Sequence, residues 1–279
     1  MNLTWDDGEG PKPDRIGALG LVRAMLRGSA MALVLLIGLL LTLILRPIER
    51  LIWDIRRPLT APVTQNVFRV GLWVLGLRRD TVGRPMQTGG AVVANHSSWL
   101  DILVLNAGQR VVFVSKAEVA GWPVIGWLAR LVDTAFIRRN RHEAMAQGAM
   151  FRARMERGQK LLFFPEGTST DGMRVLPFKS TLFEAFFAQS LRDIAYIQPV
   201  TVVYEAPQNS EEPRFYGWWG DMDLGPHALQ VLASTRQGRV RVIYHAPLAV
   251  ADFDGRKTLA AELEKHVRSG MPEGRQQET

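Results

Sequence analysis

The longest feature of the hydropathy pattern is a run without a charged residue, Gly28–Leu45, with Arg23 and Arg27 before it and Arg46 and Arg50 after it. As a helix it reaches about 27 Å at 1.5 Å per residue, close to the roughly 30 Å hydrocarbon core of a bilayer. It is apolar on every face, whereas a surface helix shows one stripe. It starts late and runs into Arg46-Pro47 rather than a small-residue cleavage site, which argues against a secretory signal. A membrane helix is therefore expected. Arginines balance across the run, so charge does not set an orientation, and a hairpin or re-entrant helix fits as well as a span. A second stretch, Val63–Leu77, has Val63, Val67, Val70 and Val74 at helical spacing with Trp73 beside them. It is expected either in the bilayer interface or packed on the core.

After Leu77 the pattern changes to short apolar runs of strand type: Ala91–Ala94, Val111–Val114, Thr134–Ile137, Leu161–Phe164, Ile197–Tyr204 and Val240–Tyr244. Helical stretches separate or follow them: Trp99–Asn106, Val124–Leu131, Glu143–Arg157, Thr181–Ser190, His227–Thr235 and Lys257–Val267. Alternation of this kind predicts an α/β fold, a mostly parallel sheet flanked by helices, with an N-terminal membrane-associated helical segment. The expected organisation is a flexible tail over 1–14, a membrane-anchoring helical region over 15–80, one α/β domain over 81–270 and a flexible tail over 271–279.

Composition narrows the function classes. The formal charge of +7 favours anionic partners, whether nucleic acid, a phospholipid surface or a phosphate-bearing substrate. Nucleic-acid binding accounts for the charge but not for the apolar anchor, and is set aside. The absence of cysteine excludes disulfides, zinc–thiolate sites and a thiol nucleophile.

Four groups of residues have chemistry to offer. In Asn95-His96-Ser97-Ser98-Trp99-Leu100-Asp101, a histidine follows a strand, where ligands of α/β sheets bind, and Asp101 opens the next helix. From there the carboxylate reaches back to one imidazole nitrogen and leaves the other to take a proton. The same residues also fit a plain capping box. Phe163-Phe164-Pro165-Glu166-Gly167-Thr168 continues another strand into a Pro/Gly loop suited to holding an oxyanion or phosphate beside a carboxylate, unless Glu166 simply faces solvent. Arg138, Arg139 and Arg141 follow a third strand, either as anion ligands or as a solvated edge. Lys179 is a fourth candidate cation near the Glu166 loop. The aromatics Phe215, Tyr216, Trp218 and Trp219 suit a bilayer interface or a core equally.

Together these residues resemble the glycerolipid acyltransferase superfamily, whose best-known members are the lysophosphatidic acid acyltransferases. Four blocks occur in family order: His-x4-Asp at His96 and Asp101, Phe-Ile-x-Arg at Phe136–Arg139, Pro-Glu-Gly-Thr at Pro165–Thr168, and a proline-bearing apolar strand at Ile197–Tyr204. The match covers roughly Gly89–Tyr204. It implies that 81–270 is an acyltransferase domain in which His96 deprotonates a lysolipid hydroxyl and Asp101 holds the imidazole. Arg138, Arg139, Glu166, Gly167, Thr168 and Lys179 would bind the acceptor. Acyl-CoA or acyl carrier protein would donate the chain, with no metal or other cofactor. It also implies location at the inner, cytoplasmic membrane with the catalytic domain facing the cytoplasm. One departure stands out: phosphate-acceptor members usually place Arg after Glu-Gly-Thr, whereas this chain has Ser169. That variant is more similar to the branch acylating lyso-aminolipids such as lyso-ornithine lipid. The alternatives are a 1-acyl-sn-glycerol-3-phosphate acyltransferase, a thioesterase and a non-catalytic membrane lipid-binding protein.

Overall fold

The computed structural model describes residues 5, 6, 8, 10, 15–53, 57–121, 125–131, 133–137 and 144–275. Two helices lead the chain, α1 (Ala18–Trp53) and α2 (Thr60–Leu75). The α/β body follows as β1 (Arg78–Val82), β2 (Gly90–Ala94), α3 (Asp101–Gly108), β3 (Val112–Lys116), α4 (Ile125–Leu131), β4 (Ala135–Ile137), α5 (Ala144–Glu156) and β5 (Lys160–Phe163). It ends with the short α6 (Gln189–Arg192), β6 (Tyr196–Glu205), α7 (Leu224–Ala233), β7 (Arg239–Tyr244), β8 (Leu248–Ala249) and α8 (Arg256–Ser269). The sheet order is β1-β7-β6-β2-β5-β3-β4, with β8 on β6. All neighbours are parallel except β6 with β7 and β6 with β8.

The central strands are buried on both faces, as continuous apolar runs require. Because side chains alternate along a strand, Leu161 and Phe163 join a cluster with Phe183, Phe186, Leu259 and Leu263 on one face. Leu162 and Val92 join Leu72, Leu75, Leu105 and Val242 on the other. All six expected strands form, within a residue or two of the expected ends. Two more were not anticipated. β1, Arg-Arg-Asp-Thr-Val, has no apolar run of its own and is created by parallel pairing of Arg78–Val82 with Arg239–Ile243. β8 is only two residues long.

One expected helix differs. Thr181–Ser190 is mostly a 3-10 helix, Ser180–Phe187, before α6. A 3-10 helix stacks residues i and i+3 on one line, which sends Phe183 and Phe186 together into Phe163, with ring centroids 5.5 and 6.0 Å away. The aromatic patch resolves as core: Phe215, Tyr216 and Trp219 are buried.

The apolar run lies inside a helix of 36 residues. Leu19, Leu36, Ile44 and Leu51 on α1, with Trp73 on α2, stay exposed and form a wide apolar surface. Yet α1 is held to α7 and α2 along its length. Arg23 donates to the Ala233 carbonyl (2.6 Å) and Arg27 to those of Leu232 and Ser234 (3.0 and 2.7 Å), satisfying carbonyls at the end of α7. In the middle, a Cβ on Gly38 would stand 2.3 Å from Val67 Cγ2, so glycine is what lets α1 and α2 approach. Near the far end, buried Glu49 accepts from the Leu59 and Thr60 amides (2.6 and 2.8 Å) and the Thr60 hydroxyl (2.6 Å), capping α2. Gln65 and Arg69 of α2 then donate to the Ala107 carbonyl of α3.

Candidate active site

His96 leaves the carboxyl end of β2, the central strand between β5 and β6. Asn95 fixes this exit: its side-chain amide donates to the Val202 carbonyl (2.9 Å) and accepts from the Val202 amide (2.8 Å), clamping the loop to β6. Asp101, at the first turn of α3, is fully buried, and its carboxyl gathers four contacts. Oδ2 accepts from the amides of Ser97 (2.8 Å) and Ser98 (3.0 Å) and lies 2.7 Å from His96 Nδ1. Oδ1 accepts from the Tyr204 hydroxyl at 2.7 Å. The capping geometry and the histidine contact thus share one carboxylate, so the two readings of this segment do not compete.

The imidazole is 19% exposed, and Nε2 has no hydrogen-bond partner among the described residues. Its ring stacks on Phe164, centroids 4.1 Å apart and planes 10° off parallel. Phe164 continues β5, parallel neighbour of β2, which is why two separated sequence blocks meet here. The Thr170 amide donates to the His96 carbonyl (2.9 Å) and the Trp218 amide to the Ser97 carbonyl (2.9 Å), closing the loop on two further sides. With Nδ1–H directed at a carboxylate and the opposite nitrogen open, the ring is set up to accept a proton at Nε2.

Glu166 does not face solvent. It is 1% exposed, and its Oε1 accepts from the backbone amide of His96 at 3.0 Å. Burial pushes this carboxyl well above the usual carboxylate range, against the lowering effect of the His96 and Leu176 amides. Among the described residues Oε2 is buried without a partner. The carboxyl therefore sits behind the histidine, in the wall of the site. Gly167, at φ 77°, turns the loop, and a Cβ there would fall 2.7 Å from Lys179 Nζ, so Lys179 lies against the loop as its position in sequence suggested. The Thr168 hydroxyl accepts from the Trp5 amide at 3.2 Å. Trp5 belongs to the stretch expected to be a loose tail. Its ring also lies under the Arg174 guanidinium, 4.7 Å from the centroid, and its carbonyl accepts from Gly220. Arg174 in turn pairs with buried Asp171 (3.1 Å). β4 ends at Ile137 on the same edge of the sheet as Ala94, three strands over. Arg138, Arg139 and Arg141, which follow, lie outside the described residues.

Tyr204, Phe164 and Trp5 carry no role in the motif reading. Tyr204 had one usable signal, a polar aromatic at the carboxyl end of a strand. Trp5 had none.

A strand-end histidine beside a buried aspartate on a helix-covered, mostly parallel sheet suits acyl transfer, and the chain belongs to the acyltransferase family, by its relatives and by the Acyltransferase family model, which matches residues 79–203. Over 95% of this chain and 96% of the relative, it is 56% identical to a lyso-ornithine lipid O-acyltransferase of Rhodobacter capsulatus. It is 33% identical to a protein of the same name from Brucella abortus, over 90% and 94% of the two chains. A 1-acyl-sn-glycerol-3-phosphate acyltransferase of Neisseria meningitidis is 30% identical over 67% of this chain and 72% of its own. Among solved structures, the crystal structure of the 1-acyl-sn-glycerophosphate acyltransferase PlsC from Thermotoga maritima superposes with a TM-score of 0.53. It covers 84% of this chain and 93% of its own at 19% identity, a likeness of fold.

Proposed function

We propose that this acyltransferase esterifies the free hydroxyl of a lyso-aminolipid, lyso-ornithine lipid being the model acceptor, with a fatty chain from an acyl thioester of coenzyme A or acyl carrier protein. Nε2 of His96 takes the proton of the acceptor hydroxyl as its oxygen attacks the thioester carbonyl carbon. The C–O bond forms, the C–S bond breaks, and the imidazolium returns the proton to the departing thiolate. Asp101 keeps Nδ1 protonated and steadies the charged ring, as the third member of a hydrolase triad does. Glu166 acts from behind, holding the His96 backbone. Gly167, Thr168 and Lys179 line the acceptor side, joined on sequence grounds by Arg138 and Arg139. The carrying observation is the 2.7 Å His96–Asp101 contact with Nε2 unpartnered, in a chain 56% identical to a lyso-ornithine lipid O-acyltransferase.

The α1–α2 pair is the membrane anchor. One end of α1 is bonded to α7 and the other to the start of α2, which is itself bonded to α3, and this favours a hairpin lying in the near face of the bilayer over a helix crossing it. The catalytic domain then faces the cytoplasm, where acyl thioesters are made.

Purified enzyme given one acyl donor should acylate lyso-ornithine lipid in clear preference to lysophosphatidic acid. Preference for the phosphate acceptor would overturn the lyso-aminolipid assignment. Acceptor-independent release of fatty acid would instead indicate a thioesterase.

A further inference from the structure

The starts of β3 and β5 lie at the edge of the sheet opposite His96. Lys160 pairs with Gly90 at the beginning of β2, and the length of that strand puts the two edges about 16 Å apart. Between this edge and the base of the α1–α2 hairpin is a cavity of about 610 Å³. Four cations from three separate elements line it: Arg57 before α2, Arg110 before β3, and Arg157 and Lys160 on either side of the turn into β5.

The two carboxylates in its wall are each held by a cation outside the lining, and Asp133 also favours the charge of Arg57. Asp133 takes two hydrogen bonds from Arg154 (2.9 and 3.2 Å), and Glu156 pairs with Arg152 at 2.6 Å. Among the described residues neither Arg110 nor Lys160 has an ion-pair partner. Burial, then the neighbouring Arg110 charge, lowers the proton affinity of Lys160. Like charges gathered around a cavity repel unless an anion fills it. Guanidinium groups also suit phosphate oxygens, which accept two parallel hydrogen bonds.

The cavity rim says where such an anion would come from. Trp53, the last residue of α1, is part of the lining and remains 39% exposed, next to the exposed Leu51 and Ile52. An amphipathic ring between an apolar helix face and a cationic recess matches the headgroup level of a bilayer. We propose that this cavity binds the phosphate of an anionic phospholipid, whose chains lie along the exposed end of α1. It is a second lipid site, separate from the acceptor site and independent of which acceptor is used.

Lys160 reports on it directly. Full-length protein in detergent is treated with an amine-reactive reagent, and labelling of Lys160 is followed by mass spectrometry with added dihexanoyl phosphatidylglycerol, dihexanoyl phosphatidylcholine or inorganic phosphate. Phosphatidylglycerol should protect Lys160 saturably. Arg110→Gln combined with Arg157→Gln should weaken that protection about tenfold or more, as loss of charge-assisted contacts predicts. The charge-matched pair Arg192→Gln and Lys257→Gln, on exposed surface elsewhere, should leave it unchanged. Equal protection by phosphatidylcholine, or equal loss in the charge-matched pair, would overturn the site. Equal protection by inorganic phosphate would overturn the lipid as its occupant. Circular dichroism of each variant checks that the fold is intact.

Discussion

The Tyr204 hydroxyl, fully enclosed at the end of β6, donates a 2.7 Å hydrogen bond to Oδ1 of Asp101, the one carboxyl oxygen not facing His96. Burial, with the nearby Asp101 charge, raises this phenol well above its ordinary value, so it stays a donor throughout the working pH range. In the proposed mechanism Tyr204 is a positioning residue, acting on the imidazole through the carboxylate. Tyr204→Phe keeps the ring packing on Tyr216 and leaves one oxygen of a buried carboxylate without its donor, at about 1–3 kcal/mol. Steady-state kinetics should show kcat falling about tenfold with acceptor KM unchanged. An unchanged kcat would mean the bond matters only for folding.

His96→Ala removes the proposed proton acceptor and should lower kcat by about 10²–10⁴-fold, the usual range for a general base. Expression and membrane sedimentation should match the wild type, because His96 makes none of the α1–α2 anchor contacts. Retained turnover would favour a lipid-binding role.

Glu166 makes a prediction about pH. A folded-state pKa above the unfolded one means that the neutral carboxyl contributes stability fully present below the unfolded value of about 4.3. That contribution is lost as pH rises through the raised folded value. Glu166→Gln imitates the neutral form and still accepts from the His96 amide. The thermal midpoint of the wild type relative to Glu166→Gln should therefore fall as pH is raised from about 5 to about 9. A constant gap across that range would show that Glu166 is ionised throughout.

Trp5 clasps the loop beyond Glu166 through Thr168 and Arg174. Trp5→Ala forfeits a cation–π contact of about 1 kcal/mol. Amide exchange in residues 167–174 should accelerate, and acceptor KM should rise with little change in kcat. Unaltered exchange would show that the N-terminal contact does not order the loop.

In Gly38→Ile the new side chain meets Val67 at the point where α1 and α2 are closest. Overpacking of this kind costs about 1–3 kcal/mol, and the hairpin should loosen, seen as faster proteolysis of 18–75. Acyl transfer in detergent should survive better than transfer in vesicles.

Much of this was legible from local pattern. Strands buried on both faces read as continuous apolar runs, so β2 through β7 could be placed before any contact was known, and the uncharged run of α1 announced itself by length. His96, Asp101 and Glu166 could be found because a strand-end loop of fixed spacing is a local property of the chain. What local pattern could not supply is anything created by pairing distant segments. β1 is a strand because β7 accepts it, not because Arg78–Val82 favours one. Glu166 looked like a loop carboxylate and became a buried one when β5 docked beside β2 and turned it onto the His96 amide. Tyr204 stands more than a hundred residues from Asp101, and Trp5 lies still farther from Thr168. Periodicity and short spacing are properties of the chain before it folds, and they are enough for the alternation of elements, the long apolar helix and the histidine–aspartate pair proposed to handle the proton. Which groups surround that pair, and how α1 is held, follow from folding alone, because hydrogen bonds and burial between remote segments exist only once the sheet order has brought them together.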